Sequence, residues 1–291
     1  MFAGVYTAIV TPFREDGEID WDCLKDLVEF QIEGNVAGIV PCGTTGESPT
    51  LSHEEHRKVI KRVVEWVGGR CKVIAGTGSN STAEAIELSR HAEKDNADAC
   101  LIVNPYYNKP TQEGLYRHFR AIAESVDIPI ILYNIKGRTA VNVETDTLLR
   151  LICDCQNIAG VKEASGDINQ MKDVLNRVPK RFDVLSGDDN MTLELIKLGG
   201  KGVISVASNL VPEKIVSLVD AALKKDKKAD AINNELAELF RMLFIETNPI
   251  PVKAAMAMKG LCKESYRLPM CELRPENRKN LKSFLEGNGY V

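Results

Sequence analysis

Val73-Ile74-Ala75-Gly76 is a short apolar run closed by glycine. Ser81-Thr82-Ala83-Glu84 then opens an amphipathic stretch that lasts to Lys94, and Ala99-Cys100-Leu101-Ile102-Val103 is apolar again. Ser-x-x-Glu at the head of a helical pattern is the signature of a capped helix start. The segment therefore reads strand, helix, strand. Strands that are apolar at every position, not at alternate ones, are those of a parallel sheet with helices covering it.

The alternation extends in both directions. Further strand candidates are Val5–Val10, Gly38–Cys42, Ile128–Tyr133, Ile158–Val161, Asp183–Leu185 and Gly202–Val206. Helical patterns occupy Trp21–Glu33, Ser52–Val67, Thr82–Lys94 and Thr111–Ser125, and Ser52-His53-Glu54-Glu55 repeats the capping signal. Eight strand–helix units predict an α/β protein, a (β/α)8 TIM barrel over residues 1–225. A doubly wound open sheet shares the alternation. The count of eight, and the lack of Gly-x-Gly-x-x-Gly after the first strand, favour the barrel. Residues 226–291 carry helical patterns at Ala229–Phe244, Pro251–Met258 and Pro275–Glu286, with no strands and no Pro/Ser-rich linker before them. They are expected to pack on the barrel as a C-terminal helical appendage.

Composition narrows the class. A chain of 291 residues with 44% hydrophobic and 27% charged residues has ample material for a core. A net charge of −4 leaves no global positive field, so neither nucleic acid nor an anionic membrane is an expected partner. The eight cysteines form no Cys-x-x-Cys pair and only four histidines accompany them, so no metal site is expected. Free thiols, no basic segment ahead of the first apolar stretch, and no apolar run of membrane-spanning length predict a cytoplasmic protein.

In a barrel of this type, chemistry is carried where strands hand over to the loops that follow them. Those junctions hold Gly43-Thr44-Thr45-Gly46-Glu47, Asn104-Pro105-Tyr106-Tyr107, Tyr133-Asn134, Gly160-Val161-Lys162-Glu163-Ala164, Ser186-Gly187-Asp188-Asp189 and Ile204-Ser205. A lysine at a strand mouth can be shielded from water, and a neutral amine attacks a ketone to form a Schiff base. Tyr133, on the neighbouring strand, is the natural proton donor and acceptor for that step. Gly43 and Gly46 let backbone amides approach an anion, and Thr44 and Thr45 add hydroxyls, which suits the carboxylate of an α-keto acid.

These motifs, in this order, with Pro-Tyr-Tyr-Asn-Lys-Pro at 105–110, Tyr-Asn-x-x-Gly-Arg-Thr at 133–139 and Asn248-Pro249-Ile250-Pro251-Val252-Lys253, resemble the dihydrodipicolinate synthase/N-acetylneuraminate lyase superfamily over the whole chain. The chain looks most like the superfamily's synthase members. The resemblance implies a lyase that joins pyruvate to L-aspartate 4-semialdehyde in the first committed step of the diaminopimelate route to lysine. It makes Lys162 the imine-forming residue and Thr44, Tyr107 and Tyr133 a proton relay, with Tyr107 reaching into a neighbouring subunit. Substrate contacts fall to Thr45, Arg138, Gly187 and Ile204, and Arg138 would pair with the carboxylate of the semialdehyde. No cofactor beyond the covalent imine is implied. An inhibitory L-lysine pocket would comprise Ser48, Pro49, His53, His56, Asn80, Glu84 and Tyr106, and the assembly would be a homotetramer built as a dimer of dimers. Two positions depart from the common pattern: Lys136 stands where proline is frequent, and Pro49 where small residues are. The competing expectations are an aldolase of the same fold acting on N-acetylneuraminate, 2-keto-3-deoxygluconate or 4-hydroxy-2-oxoglutarate, and a non-catalytic relative that binds small acids.

Overall fold

The computed structural model describes residues 1–291. Eight parallel strands close into a barrel in chain order: β1 (Gly4–Ala8), β2 (Gly38–Val40), β3 (Lys72–Gly76), β4 (Ala99–Val103), β5 (Ile130–Asn134), β6 (Ile158–Glu163), β7 (Asp183–Ser186) and β8 (Gly202–Ser205). The ring closes through β8 and β1, with Gly4 opposite Gly202 and Tyr6 opposite Ile204. That seam needs glycine: a Cβ on Gly202 would lie 1.9 Å from the Gly4 carbonyl oxygen.

Helices α1 (Trp21–Glu33), α2 (His53–Val67), α3 (Thr82–Lys94) and α4 (Gln112–Ala123) follow the first four strands. After β5 come a single turn, α5 (Lys136–Thr139), and α6 (Thr145–Asp154). Helices α7 (Ile168–Arg177), α8 (Thr192–Lys197) and α9 (Pro212–Leu223) complete the ring, and α10 (Lys228–Met242), α11 (Ile250–Met258) and α12 (Pro275–Gly287) form the C-terminal part. α10 packs along α9, and residues of all three C-terminal helices (Leu239, Met256, Leu285) belong to the same buried cluster as the barrel's outer layer.

Two apolar layers explain why the strands read as nearly continuous apolar runs. The larger, of 70 residues, fills the space between strands and helices, and the smaller, of 12, fills the barrel. On β5, Ile130 and Leu132 face the helices while Ile131 and Tyr133 face inward. The period-two alternation of a strand is present, but burial on both faces hides it from the sequence.

Element ends shift where local chemistry overrides pattern. β1 stops at Ala8 rather than Val10, and β2 at Val40 rather than Cys42, because the chain turns there with Cys42 at φ 56°. β5 starts at Ile130 rather than Ile128, after Pro129, which has no N–H to give a ladder. β6 runs on to Glu163, so Lys162 is a strand residue and not the first residue past the strand.

The two capping signals also part company. Ser52 and Glu55 form the full reciprocal box at the start of α2. Ser81 caps α3, but Glu84 turns its carboxylate away to the Ser79 hydroxyl and to His53 Nε2, the latter at 2.7 Å.

Candidate active site

Strand register sets the central pair. β5 and β6 align Tyr133 with Lys162, and both side chains point into the barrel, only 6% and 5% exposed. The Lys162 ammonium nitrogen lies 4.1 Å from the centre of the Tyr133 ring. Gly187, at the end of β7, leaves room for the lysine stem. A Cβ there would sit 2.5 Å from Ala164 Cβ and 3.2 Å from Lys162 Cε. Next in the chain, half-buried Asp188 is the carboxyl that senses this site: burial pushes it up, and the charges of Lys162 and Arg138 pull it back down.

The next residues on the same strands, Asn134 and Glu163, point outward and build a buried polar brace. Asn104 Nδ2 donates to Asn134 Oδ1 at 2.9 Å, and Asn134 Nδ2 donates to Asn142 Oδ1 at 2.9 Å and to Glu163 at 3.3 Å. Gln170 Nε2 closes the circuit to Glu163 at 3.4 Å. Desolvation pushes the Glu163 carboxyl up, opposed by its bonds from Ser165, Asn134 and Gln170. Buried networks of this kind narrow the choice of arrangement, and this one ties together the ends of β4, β5 and β6, with Asn104 Oδ1 left buried and without a partner.

The Gly43–Glu47 loop approaches from β2. It reverses through two residues with left-handed backbone, Cys42 at φ 56° and Glu47 at φ 52°. The Thr11 hydroxyl donates to the Gly46 carbonyl at 2.7 Å. Thr45 is buried and its hydroxyl accepts from Asn248 Nδ2 at 3.0 Å. Arg138, exposed on the one-turn α5, donates from Nη2 to the Asn248 carbonyl at 3.1 Å. The turn forms with Lys136 as its first residue, a position that tolerates proline but does not require it. Asn248 thus joins two sequence-distant elements, and its own Oδ1 is buried without a protein partner.

Two cavities meet at this rim. One, of about 40 Å³, is lined by Lys162, Tyr133, Thr44, Thr45, Arg138 and Gly187, together with Asp188, Val206, Phe244 and Asn248. The other, of about 480 Å³, lacks the lysine but shares Gly43, Thr44, Leu101, Tyr133, Ile135, Arg138 and Asn248 as a common wall. Five of the expected site residues, Tyr133, Thr44, Thr45, Arg138 and Gly187, are therefore gathered around Lys162. Ile204 is not among them: it is wholly buried in the barrel interior opposite Tyr6, and Val206 occupies the rim instead. Tyr107 is also absent from both cavities. It is 90% exposed on the loop after β4, at φ 72°.

The second expected group lines the larger cavity. Ser48, Pro49, His53, His56, Glu84 and Tyr106 all contribute to its wall. Pro49 fits without distortion, because it lies in the first turn of a short 3-10 segment, Ser48–Thr50. Asn80 stands outside the lining, and its carbonyl accepts from Asn108 Nδ2 at 2.9 Å. His56 is buried, with Nε2 2.9 Å from the Gly76 carbonyl, and burial holds its pKa down at about 4. A neutral ring facing a carbonyl carries its proton on that nitrogen, which leaves Nδ1 bare and unpartnered.

Asp188 and Asn248 both fall inside stretches whose pattern is visible in the sequence, yet nothing local marks them as cavity residues. Phe244 and Val206 read in the sequence only as the ends of a helical pattern and a strand, with nothing to mark them for the cavity. Both lie just past an element, Phe244 after α10 and Val206 after β8, and line the cavity from there.

A model of the dihydrodipicolinate synthetase family matches residues 1–288. The 4-hydroxy-tetrahydrodipicolinate synthase of Endomicrobium trichonymphae is 53% identical over 100% of both chains. The crystal structure of dihydrodipicolinate synthase from Aquifex aeolicus superimposes with a TM-score of 0.98, at 49% identity over 99% of each chain. The chloride-inhibited Acinetobacter baumannii enzyme complexed with pyruvate gives a TM-score of 0.97 at 46% identity over 100% of each chain. The Cyanidioschyzon merolae enzyme with lysine bound gives 0.97 at 39% identity, covering 100% of this chain and 99% of that one.

Proposed function

The chain belongs to the dihydrodipicolinate synthetase family and is a lyase-type enzyme, and from that premise we propose that it condenses pyruvate with L-aspartate 4-semialdehyde through an imine on Lys162. The observation that carries this reading is the Lys162–Tyr133 pair, buried together at 4.1 Å with the Thr44 and Arg138 side chains around the same cavity. In the proposed sequence the Lys162 amine adds to the pyruvate ketone and water leaves, with Tyr133 passing the protons. The protonated imine draws electrons from the pyruvate methyl group. Loss of a methyl proton gives an enamine, whose carbon attacks the aldehyde of the second substrate. Attack of that substrate's own amine on the imine carbon closes the ring and frees Lys162. No metal enters any of these steps.

Arg138 is assigned to the semialdehyde carboxylate, since a guanidinium can offer two parallel N–H donors to one carboxylate. Thr45 and Gly187 shape the pyruvate end. Ile204, buried beneath the site, is assigned to its floor. Tyr107 is proposed to complete the relay with Thr44 and Tyr133 in the site of a second copy of the chain, within a homotetramer made of two such pairs. Its exposure and left-handed backbone fit a side chain held out for that purpose. Ser48, Pro49, His53, His56, Asn80, Glu84 and Tyr106 are proposed as the inhibitory L-lysine pocket, with Glu84 facing the ligand ammonium. A cytoplasmic place in the diaminopimelate route to lysine follows from the proposed reaction.

Borohydride reduction in the presence of pyruvate tests the chemistry. The Lys162 peptide should gain the mass of a reduced pyruvate adduct, and Lys162→Ala should abolish it while remaining folded. An unmodified wild-type Lys162 peptide refutes the imine. Pyruvate release from N-acetylneuraminate, 2-keto-3-deoxygluconate or 4-hydroxy-2-oxoglutarate outpacing synthesis from the semialdehyde would transfer the assignment to an aldolase of the same fold.

A further inference from the structure

We propose that Glu47 and Lys253 are a buried positioning pair, which locks the Thr44–Thr45 loop to α11 and thereby sets the hydroxyl of Thr44 against Tyr133 and Lys162. This rests on the imine reading above and extends it to residues that touch no substrate.

The two side chains form an ion pair at 1% and 0% exposure. The Lys253 ammonium also donates to the Ser265 carbonyl at 2.9 Å and lies 4.3 Å from the Phe13 ring centre. Glu47 Oε2 accepts from the Arg267 backbone N–H at 3.3 Å, and the Arg267 guanidinium pairs with Glu55 at the capped start of α2. Burial pushes the Lys253 ammonium down, and the adjacent Glu47 charge opposes that shift. Two apolar side chains would serve stability there as well or better, because desolvating both charges is costly. What an apolar pair lacks is direction.

Direction is what the neighbouring backbone uses. Glu47 stands at φ 52°, the left-handed turn that ends the loop, and its N–H donates to the Thr44 carbonyl at 3.1 Å. On the other side, Lys253 N–H donates to the Pro249 carbonyl at 3.0 Å, and the preceding Asn248 holds both the Thr45 hydroxyl and Arg138. One ion pair therefore joins the two segments that carry Thr44, Thr45 and Asn248. If it is lost, the loop keeps its sequence but not its register to β5 and β6.

The test compares wild type, Lys253→Met and the double variant Glu47→Gln/Lys253→Met for oligomeric state, thermal midpoint and rate of borohydride trapping by pyruvate. The double variant leaves no lone buried charge, so it should melt within a few degrees of wild type. It should nevertheless trap pyruvate and turn over at least roughly tenfold more slowly, the cost of a small displacement of a proton-transfer group. Its KM for the semialdehyde should change less than its kcat. Lys253→Met alone should be both slower and less stable. A double variant that traps pyruvate at the wild-type rate overturns the inference, and so does one that cannot fold, which would make the pair purely structural. Wild-type protein that traps no pyruvate overturns the imine reading and this inference together. Wild type that traps normally, with unaffected variants, overturns only the inference.

Discussion

Arg138 and Lys162 carry different parts of the proposed reaction, and their surroundings separate them. Lys162 is enclosed by strand residues and by a glycine that cannot be enlarged without pressing on its Cε. Arg138 stands exposed on a single helical turn, with one N–H committed to the Asn248 carbonyl and the remaining donors free for a ligand. Removing the guanidinium should leave imine formation intact and cripple the second half-reaction. Arg138→Ala is expected to trap pyruvate at the wild-type rate while kcat/KM for aspartate 4-semialdehyde falls about 100-fold, as the loss of a two-pronged charged contact predicts. Equal losses in both measurements would place Arg138 in loop folding instead of substrate binding.

Among the elements, the α3–α4 contact shows how burial becomes pH dependence. His118, on α4, bonds Thr82 Oγ1 at 2.9 Å through Nδ1, leaves Nε2 buried without a partner, and is held at about 4 by desolvation. A histidine whose pKa falls on folding contributes stability in full above its unfolded value near 6.5, and loses it as pH falls through the folded value. Between those limits the unfolded chain binds the extra proton, so the loss approaches about 3 kcal/mol, at 1.36 kcal/mol per pKa unit. His118→Gln cannot titrate. Its stability relative to wild type should therefore improve by roughly 2 to 3 kcal/mol between pH 7 and pH 4, measured by urea unfolding at each pH. A constant difference across that range would contradict a neutral buried ring. The capping signals teach a related lesson at the same scale. Ser52-x-x-Glu55 and Ser81-x-x-Glu84 are alike in sequence, but the second glutamate is drawn to Ser79, in the loop just before α3, and to His53, which only the packing of α2 beside α3 brings within reach.

At the scale of the whole molecule, Tyr107 stands exposed and lines neither cavity of its own chain. If it serves the site of a second copy, mixing two inactive variants should restore activity. In pairs formed between Tyr107→Phe and Lys162→Ala subunits, one site in two has both an intact Lys162 and the partner's Tyr107. Random pairing then recovers about a quarter of wild-type activity. If Tyr107 acts within its own chain, every site in every pair lacks one group and mixing recovers nothing. Coexpression followed by the synthase assay distinguishes the two outcomes.

Strand–helix alternation, glycines at strand ends and a lysine after an apolar run are local properties, and they are enough to specify the barrel and to place the lysine at the rim where a cavity opens. Backbone sterics and burial act on neighbours along the chain, so these features can be seen without coordinates. The meeting of Asn248 with Thr45 and Arg138, of Lys253 with Glu47, and of His53 with Glu84 depends on segments up to about two hundred positions apart, and no local preference encodes such a distance. The placing of Val206 at the rim, with Ile204 beneath it, has the same origin. Both residues belong to one apolar stretch, and only the tilt and closure of eight strands decide which reaches the cavity and which fills the interior.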